Sequence, residues 1–190
     1  MSRWLLSGMI AIALCGFTYN ALAHAGLRFN ADQSMPLGAY WFTPGAASRG
    51  AIVQSCLPPR LAQYALRRQY LVAGGSCPDG VIPVVKVLAA TSADRIVIAD
   101  SGVTIDGQLW PTSASRRVDS SGRRVDLRLP SGPYACPADQ VFLMGEHPRS
   151  WDSRYWGCVP RTTVAGRWVP IPFTGWLTRI FTLIDKETVS

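Results

Sequence analysis

Three short segments hold side chains that could do chemistry together. They are Ser34 in "QSMPLGAY", Lys86 in "PVVKVLA", and Ser150, Asp152, Ser153 and Arg154 in "RSWDSRYWG". A serine hydroxyl attacks an amide only when a neighbouring base takes its proton. Histidine is the usual base, but the chain has only two: His24, at the edge of an apolar segment, and His147, followed by Pro148. A Ser-His-Asp triad therefore has little support. Lys86 is the better candidate. Of 19 Lys and Arg residues only Lys86 and Lys186 are lysine, so ordinary surface charge is carried by Arg. Arginine cannot be deprotonated in a protein, whereas an ammonium set among Val and Leu gives up its proton more easily and can act as general base near neutral pH. The competing reading is a lysine on the wet face of an edge strand. Ser150, Asp152 and Arg154 can hold a lysine amine by hydrogen bonds, with Asp152 and Arg154 as an ion pair; a capped turn produces the same local pattern.

The remaining residues must position these groups. A chain of 190 residues fits one domain with a sizeable core. Charged residues make up only 16%, below the roughly 25% usual for soluble domains, and part of that deficit lies at the N-terminus. From Trp4 to Leu27 there is no Asp, Glu, Lys or Arg, with Arg3 before the run and Arg28 after it. Its most apolar part, "WLLSGMIAIALCGF", has the length of a secretory h-region, and "ALAHA" offers small-x-small cleavage sites. The whole run reaches the roughly 20 residues needed to cross a bilayer. A retained anchor over residues 1–27 is favoured over a cleaved signal. Either way the rest of the chain is exported, with Arg3 left inside.

Cysteine usage agrees with export. Cys15 lies in the apolar run, leaving Cys56, Cys77, Cys136 and Cys158 outside. None has metal-ligand spacing relative to another or to a histidine, so neither a metal nor a cofactor is expected. Four cysteines allow three pairings; proximity favours Cys56–Cys77 and Cys136–Cys158, and free buried thiols are the alternative. The net charge of +7 is spread over dispersed arginines. No zinc-finger spacing, RNA-binding aromatic motif or helix-turn-helix pattern accompanies them, which argues against nucleic acid and for a solvated surface facing anionic membrane lipid. Nothing fixes an oligomeric state.

The 14 Pro and 17 Gly point to turns and short strands. "GAYWFTP", "RGAIVQSC", "GVIPVVKVLAA", "DRIVIAD", "DQVFLMGE" and "VPRTTVAGRWVPI" read as strands, and "VTIDGQLW" as a hairpin turning at Asp106-Gly107. "PPRLAQYALRRQYL" predicts a helix entered through proline. Between Pro111 and Pro133 the motif "RRVD" occurs twice and predicts an exposed hairpin or flexible insertion without chemistry. "FTGWLTRIFTLIDK" spaces Trp176, Leu177, Ile180, Phe181 and Ile184 along one helical face, an amphipathic segment for residues 173–190 that packs on the domain or lies on the membrane. The prediction is a mainly β, antiparallel fold with one or two short helices behind an N-terminal transmembrane helix.

Anchor, "SMP" segment, lysine-bearing strand, Asp-Gly hairpin and "SxDSRYWG" occur in that order, and together they resemble the signal peptidase I family, the Ser-Lys serine proteases of bacterial membranes. "SMPxGxY", with Gly38 and Tyr40, is similar to the conjugation-associated, TraF-type branch. The resemblance covers roughly residues 28–172, taken as the peptidase domain. It implies the β fold that signal peptidases share with autoproteolytic Ser-Lys repressors. It also implies Ser34 as nucleophile, Lys86 as general base, Ser150 orienting the amine, and Asp152 and Arg154 as a supporting pair. Met35, Pro36, Gly38 and Tyr40 would meet an extended peptide, the Ser34 N–H would donate to the oxyanion, and shallow pockets would accept Ala-like residues at the cut. The implied function is endoproteolysis of an exported precursor, a conjugative pilin subunit, with possible cyclisation of the product. The implied place is the bacterial inner membrane, with the catalytic domain in the periplasm. A general leader peptidase and a non-enzymatic component of a conjugative secretion channel are the alternatives. The chain departs from the family at three points. Asp32 stands where Ser or Thr supplies an oxyanion donor, "GEH" replaces Gly-Asp-Asn, and Val87 replaces an arginine.

Overall fold

The uncharged run becomes one helix, α1 (Arg3–Ala25), in a computed structural model that describes residues 3–172. Within it Ser7–Ala25 has a mean hydropathy of 1.3 and none of it is buried against the protein. It is long and apolar enough to cross a membrane, and a signal sequence has the same character. The amphipathic segment expected over residues 173–190 lies outside the described residues.

Beyond α1 the chain runs through β1 (Leu27–Asn30), β2 (Gly38–Pro44), β3 (Ile52–Ser55), α2 (Pro59–Arg67), β4 (Val84–Thr91), β5 (Ile96–Ala99) and β6 (Gly102–Ile105). Then follow β7 (Gln108–Leu109), β8 (Gly132–Tyr134), β9 (Gln140–Met144), α3 (Ser153–Trp156), β10 (Val159–Pro160) and β11 (Val164–Pro170). One sheet of seven strands has the order β1-β2-β11-β3-β4-β9-β10, and one of four has β7-β6-β5-β8. Every pairing is antiparallel. The fold is mainly antiparallel β with few helices, as the strand-like segments predict.

β4 and β9 are the heart of the domain because both of their faces are covered. Val84, Leu88, Val141 and Leu143 join Val53, Tyr155 and Trp156 in one apolar cluster. Ala89, Ala90, Phe142 and Met144 join Ile96, Ile98 and Val103 of the four-stranded sheet in a second. Double coverage explains why these two strands read as unbroken apolar runs instead of alternating. Each large side chain buried here contributes about 1.5–3 kcal/mol.

The punctuation follows backbone chemistry. Asp106 and Gly107, at φ 50° and 82°, form the tight turn between β6 and β7, the geometry in which both central residues need positive φ. α2 starts at Pro59, after Pro58, where the missing N–H costs nothing. Both disulfides favoured by proximity form, Cys56–Cys77 and Cys136–Cys158, with Cα separations of 5.5 and 5.6 Å. The second ties the strand-edge loop to the residue after Gly157, at the end of α3. Replacing both of its cysteines by serine is expected to cost about 2–4 kcal/mol, read as a lower urea midpoint.

The Arg-rich insertion is a docked hairpin. Val118 and Arg124 pair across it. Asp119 of the first "RRVD" accepts Arg123 Nε of the second at 2.9 Å and the Tyr70 hydroxyl at 2.9 Å, while Arg68 bonds Asp126 and the Arg124 carbonyl. Burial pushes the Asp119 carboxyl up, but the hydrogen bonds it accepts from the Arg123 N–H, the Tyr70 hydroxyl, the Arg123 side chain and the Ser121 N–H hold it down at about 2. The repeat therefore builds a wall beside the C-terminal end of α2.

Candidate active site

Lys86 lies on β4, paired with Val53 of β3, two strands in from the β10 edge of the large sheet. Strand alternation puts it on the face of Val84 and Leu88, and it is 4% exposed. The wet edge-strand reading therefore does not apply. Burial pushes its amine below 10.5; Asp152 and then Asp32 oppose that shift and Arg154 adds to it. The amine makes no hydrogen bond to another described residue. It faces a cleft of about 930 Å³ that Ser34, Asp32, His147 and Trp151 also line.

Ser34 sits in the turn before β2, and that turn is braced from behind. Asn30 Nδ2 donates to the carbonyls of Asp32, Met35 and Pro36 at 2.8, 3.0 and 3.0 Å, and the Tyr40 hydroxyl donates to Pro36 O at 2.6 Å. Met35 and Tyr40 are each 3% exposed. Of the four residues expected to meet a peptide, Met35, Pro36, Gly38 and Tyr40, none is among those lining the cleft. Met35 and Tyr40 are buried behind the turn, while Pro36 is exposed and its carbonyl accepts the Tyr40 hydroxyl. The Ser34 carbonyl accepts the Glu146 N–H at 2.8 Å, which joins this turn to the loop after β9.

That loop and α3 form the cluster around Asp152. Asp152 caps α3 and accepts the Arg154 N–H, as an N-cap aspartate does. Its two oxygens take Arg154 Nε and Nη2, each at 2.8 Å, and Oδ2 also takes the Gly145 N–H at 2.9 Å. Arg154 Nη1 reaches the Thr112 carbonyl at 2.9 Å. Both side chains are wholly buried. Ser150 is 2% exposed, and its Oγ is buried without a hydrogen-bond partner among the described residues.

Two supporting contacts escape a reading of sequence. Ser153 Oγ accepts the Leu143 N–H at 2.8 Å, so the cluster is stitched directly to β9. A side chain at Gly145 would place its Cβ 2.1 Å from Ser150 Oγ and 3.2 Å from the Ser34 carbonyl; only glycine lets the two serine segments approach. Both lie inside or beside a segment that already attracts attention, but neither contact has a local signature.

Asp32 reaches the backbone of Ser34 itself. Its Oδ1 accepts the Ser34 N–H at 2.5 Å. Burial raises this carboxyl, and hydrogen bonding from the Ser34 N–H and hydroxyl, with Lys86 and His147 nearby, more than offsets that and holds it low. The donor expected to meet an oxyanion is thus occupied by a carboxylate.

Beyond this geometry, residues 1–173 match the family described as signal peptidase, peptidase S26. The chain belongs to that family. This S26 member is 35% identical over 162 residues to plasmid transfer protein TraF of Escherichia coli, covering 84% of this chain and 88% of the relative. It is 32% identical over 168 residues to conjugal transfer protein TraF of Agrobacterium fabrum, covering 86% and 92%. A crystal structure of a signal peptidase I from Enterococcus faecalis aligns at 20% identity and a TM-score of 0.37, over 66% of this chain and 98% of that one.

Proposed function

We propose that this S26 member is a membrane-anchored serine endopeptidase using Ser34 and Lys86 as a catalytic dyad. The observation that carries the reading is a buried lysine amine, without a hydrogen-bond partner among the described residues, facing the same cleft as Ser34. The neutral Lys86 amine takes the Ser34 proton as Oγ bonds to the substrate carbonyl carbon. The resulting ammonium then protonates the leaving amine as the C–N bond breaks. Ser34 and Lys86 make no hydrogen bond to each other in the substrate-free site, and such contacts commonly tighten when substrate binds. The orphaned Ser150 Oγ suits a partner for the amine, and Asp152 with Arg154 fixes the floor.

The substrate is an exported precursor, and the naming of the TraF relatives for plasmid and conjugal transfer favours a conjugative pilin subunit. The peptide lies extended in the cleft with Ala-like residues at the cut. α1 is a retained inner-membrane anchor that leaves the catalytic domain in the periplasm, where two disulfides are at home. The acyl-enzyme is resolved by water or by the substrate's own amino terminus. Intact mass separates these outcomes, since cyclisation loses one water relative to the linear product. The deciding experiment compares precursor processing by wild type, Ser34→Ala and Lys86→Ala in the full chain. Accumulation of uncleaved precursor with both variants is expected; normal processing by both would leave a non-enzymatic envelope component.

A further inference from the structure

We infer that His147 is a catalytic residue of this site, donating through Nε2 to the oxyanion formed at the scissile carbonyl. The inference rests on the dyad reading above. Attack by Ser34 moves the carbonyl π pair onto oxygen, and that charge needs donors aimed at it in a water-poor site. The nearest backbone donor, the Ser34 N–H, holds Asp32 Oδ1 in the resting site. An ionised carboxylate accepts only, so Asp32 itself supplies nothing to an oxyanion.

Four backbone donors of the loop facing Ser34 are already taken. The Gly145 N–H goes to Asp152, the Glu146 N–H to the Ser34 carbonyl, the Arg149 N–H to His147 Nδ1 and the Ser150 N–H to the His147 carbonyl. Arg149, the neighbouring side-chain donor, is exposed and tied to Gln33 Oε1 at 3.1 Å. His147 remains. It is half-buried, lines the cleft with Ser34 and Lys86, and lies close enough to Asp32 to lower that carboxyl.

The chemistry of the ring follows from its fixed nitrogen. Nδ1 accepts the Arg149 N–H at 3.2 Å, so the neutral imidazole carries its proton on Nε2. The Glu146 bond to the Ser34 carbonyl holds the ring one residue from the nucleophile's own backbone. When the tetrahedral intermediate forms, its oxygen takes the place of Asp32 at the Ser34 N–H. The His147 Nε2–H supplies the second bond. Proton accounting is unchanged: His147 keeps its proton, and the Ser34 proton travels through Lys86 to the leaving amine.

The test uses the purified full chain in detergent micelles and an internally quenched peptide with an Ala-x-Ala junction after a Leu-rich run. His147→Ala is expected to lower kcat by about 10²–10³-fold with KM within about twofold. His147→Gln, which keeps an N–H donor, recovers most of that loss. Asp32→Ser puts a hydroxyl donor where the carboxylate stands, so in that background His147→Ala costs less than tenfold. Two sites sharing one oxyanion must be non-additive in this way. A wild-type kcat in His147→Ala, equal losses in the Ala and Gln variants, a loss carried by KM, or a full loss in the Asp32→Ser background would each overturn the assignment. Cleavage that persists in Ser34→Ala would instead overturn the dyad reading, so the two failures are told apart.

Discussion

Lys86→Arg is expected to lower kcat by about 10²–10⁴-fold, the usual contribution of a positioned general base, although charge and approximate length are kept. A guanidinium stays protonated at any pH the protein survives, so it can hold the position but not take the Ser34 proton. Lys86→Met should be equally inactive, but it should also be more stable than wild type at neutral pH. Burial holds the folded-state amine below 10.5, so the folded chain binds fewer protons than the unfolded chain between its own value and 10.5. Stability therefore rises with pH through that window, and below it the cost of the buried charge is fully present. Methionine removes that cost. A gain of about 0.5–2 kcal/mol is expected, or roughly 2–4 °C in Tm for each kcal/mol in a chain of this size. Thermal scans at pH 7 and pH 10 check the sign, since the gap between the two proteins must narrow at the higher pH. A Met variant less stable than wild type at pH 7 would show that the amine is stabilising and already paired, leaving it no use as a base.

How far these features could be read from sequence depends on whether their cause is local. The Asp106-Gly107 turn, the proline entry to α2 and the Asp152 cap are each set by residues a few positions apart, and each is legible. β2 matches its segment, Gly38–Pro44, because it carries its own strand propensity. β1 and β8 do not. Leu27–Asn30 continues an apolar run and becomes a strand through its register with Gly38–Trp41, while Gly132–Tyr134 is a poor strand former held by Ile96 and Ile98. The same rule governs Lys86. "PVVKVLA" shows an apolar neighbourhood, but only pairing with β3 on one side and β9 on the other makes the strand internal. The docking of the "RRVD" hairpin depends on Arg68 and Tyr70, some fifty positions away. Asp32 is the opposite case. Its bond to the Ser34 N–H spans two residues, the reach of an ordinary aspartate turn, so its occupancy of that donor was open to a purely local argument.

Asp152→Asn is expected to be the most destabilising single change near the cleft. The carboxylate is the bidentate partner of Arg154, and both side chains are fully buried. Removing one partner of such a pair leaves a buried charge uncompensated, at a cost of about 3–5 kcal/mol, or a Tm lower by roughly 6–20 °C. The amide keeps one acceptor oxygen, so either the Gly145 N–H or the Arg154 N–H also loses its partner and adds to the loss. The double change Asp152→Leu with Arg154→Met takes away both charges and should recover much of the stability, because apolar replacements of a buried pair are often neutral or better. Activity should not return with it. Asp152 is the first of the charges that raise the Lys86 amine, and Arg154 opposes it. With the carboxylate gone and the guanidinium kept, as in Asp152→Asn, the amine falls further. The acid limb of kcat/KM in that variant should therefore move to lower pH, because Lys86 is neutral over a wider range. Chemical denaturation of the three proteins and the pH profile of the single variant separate the two roles. A limb that stays in place, or moves to higher pH, would mean that Asp152 supports the fold without tuning the base.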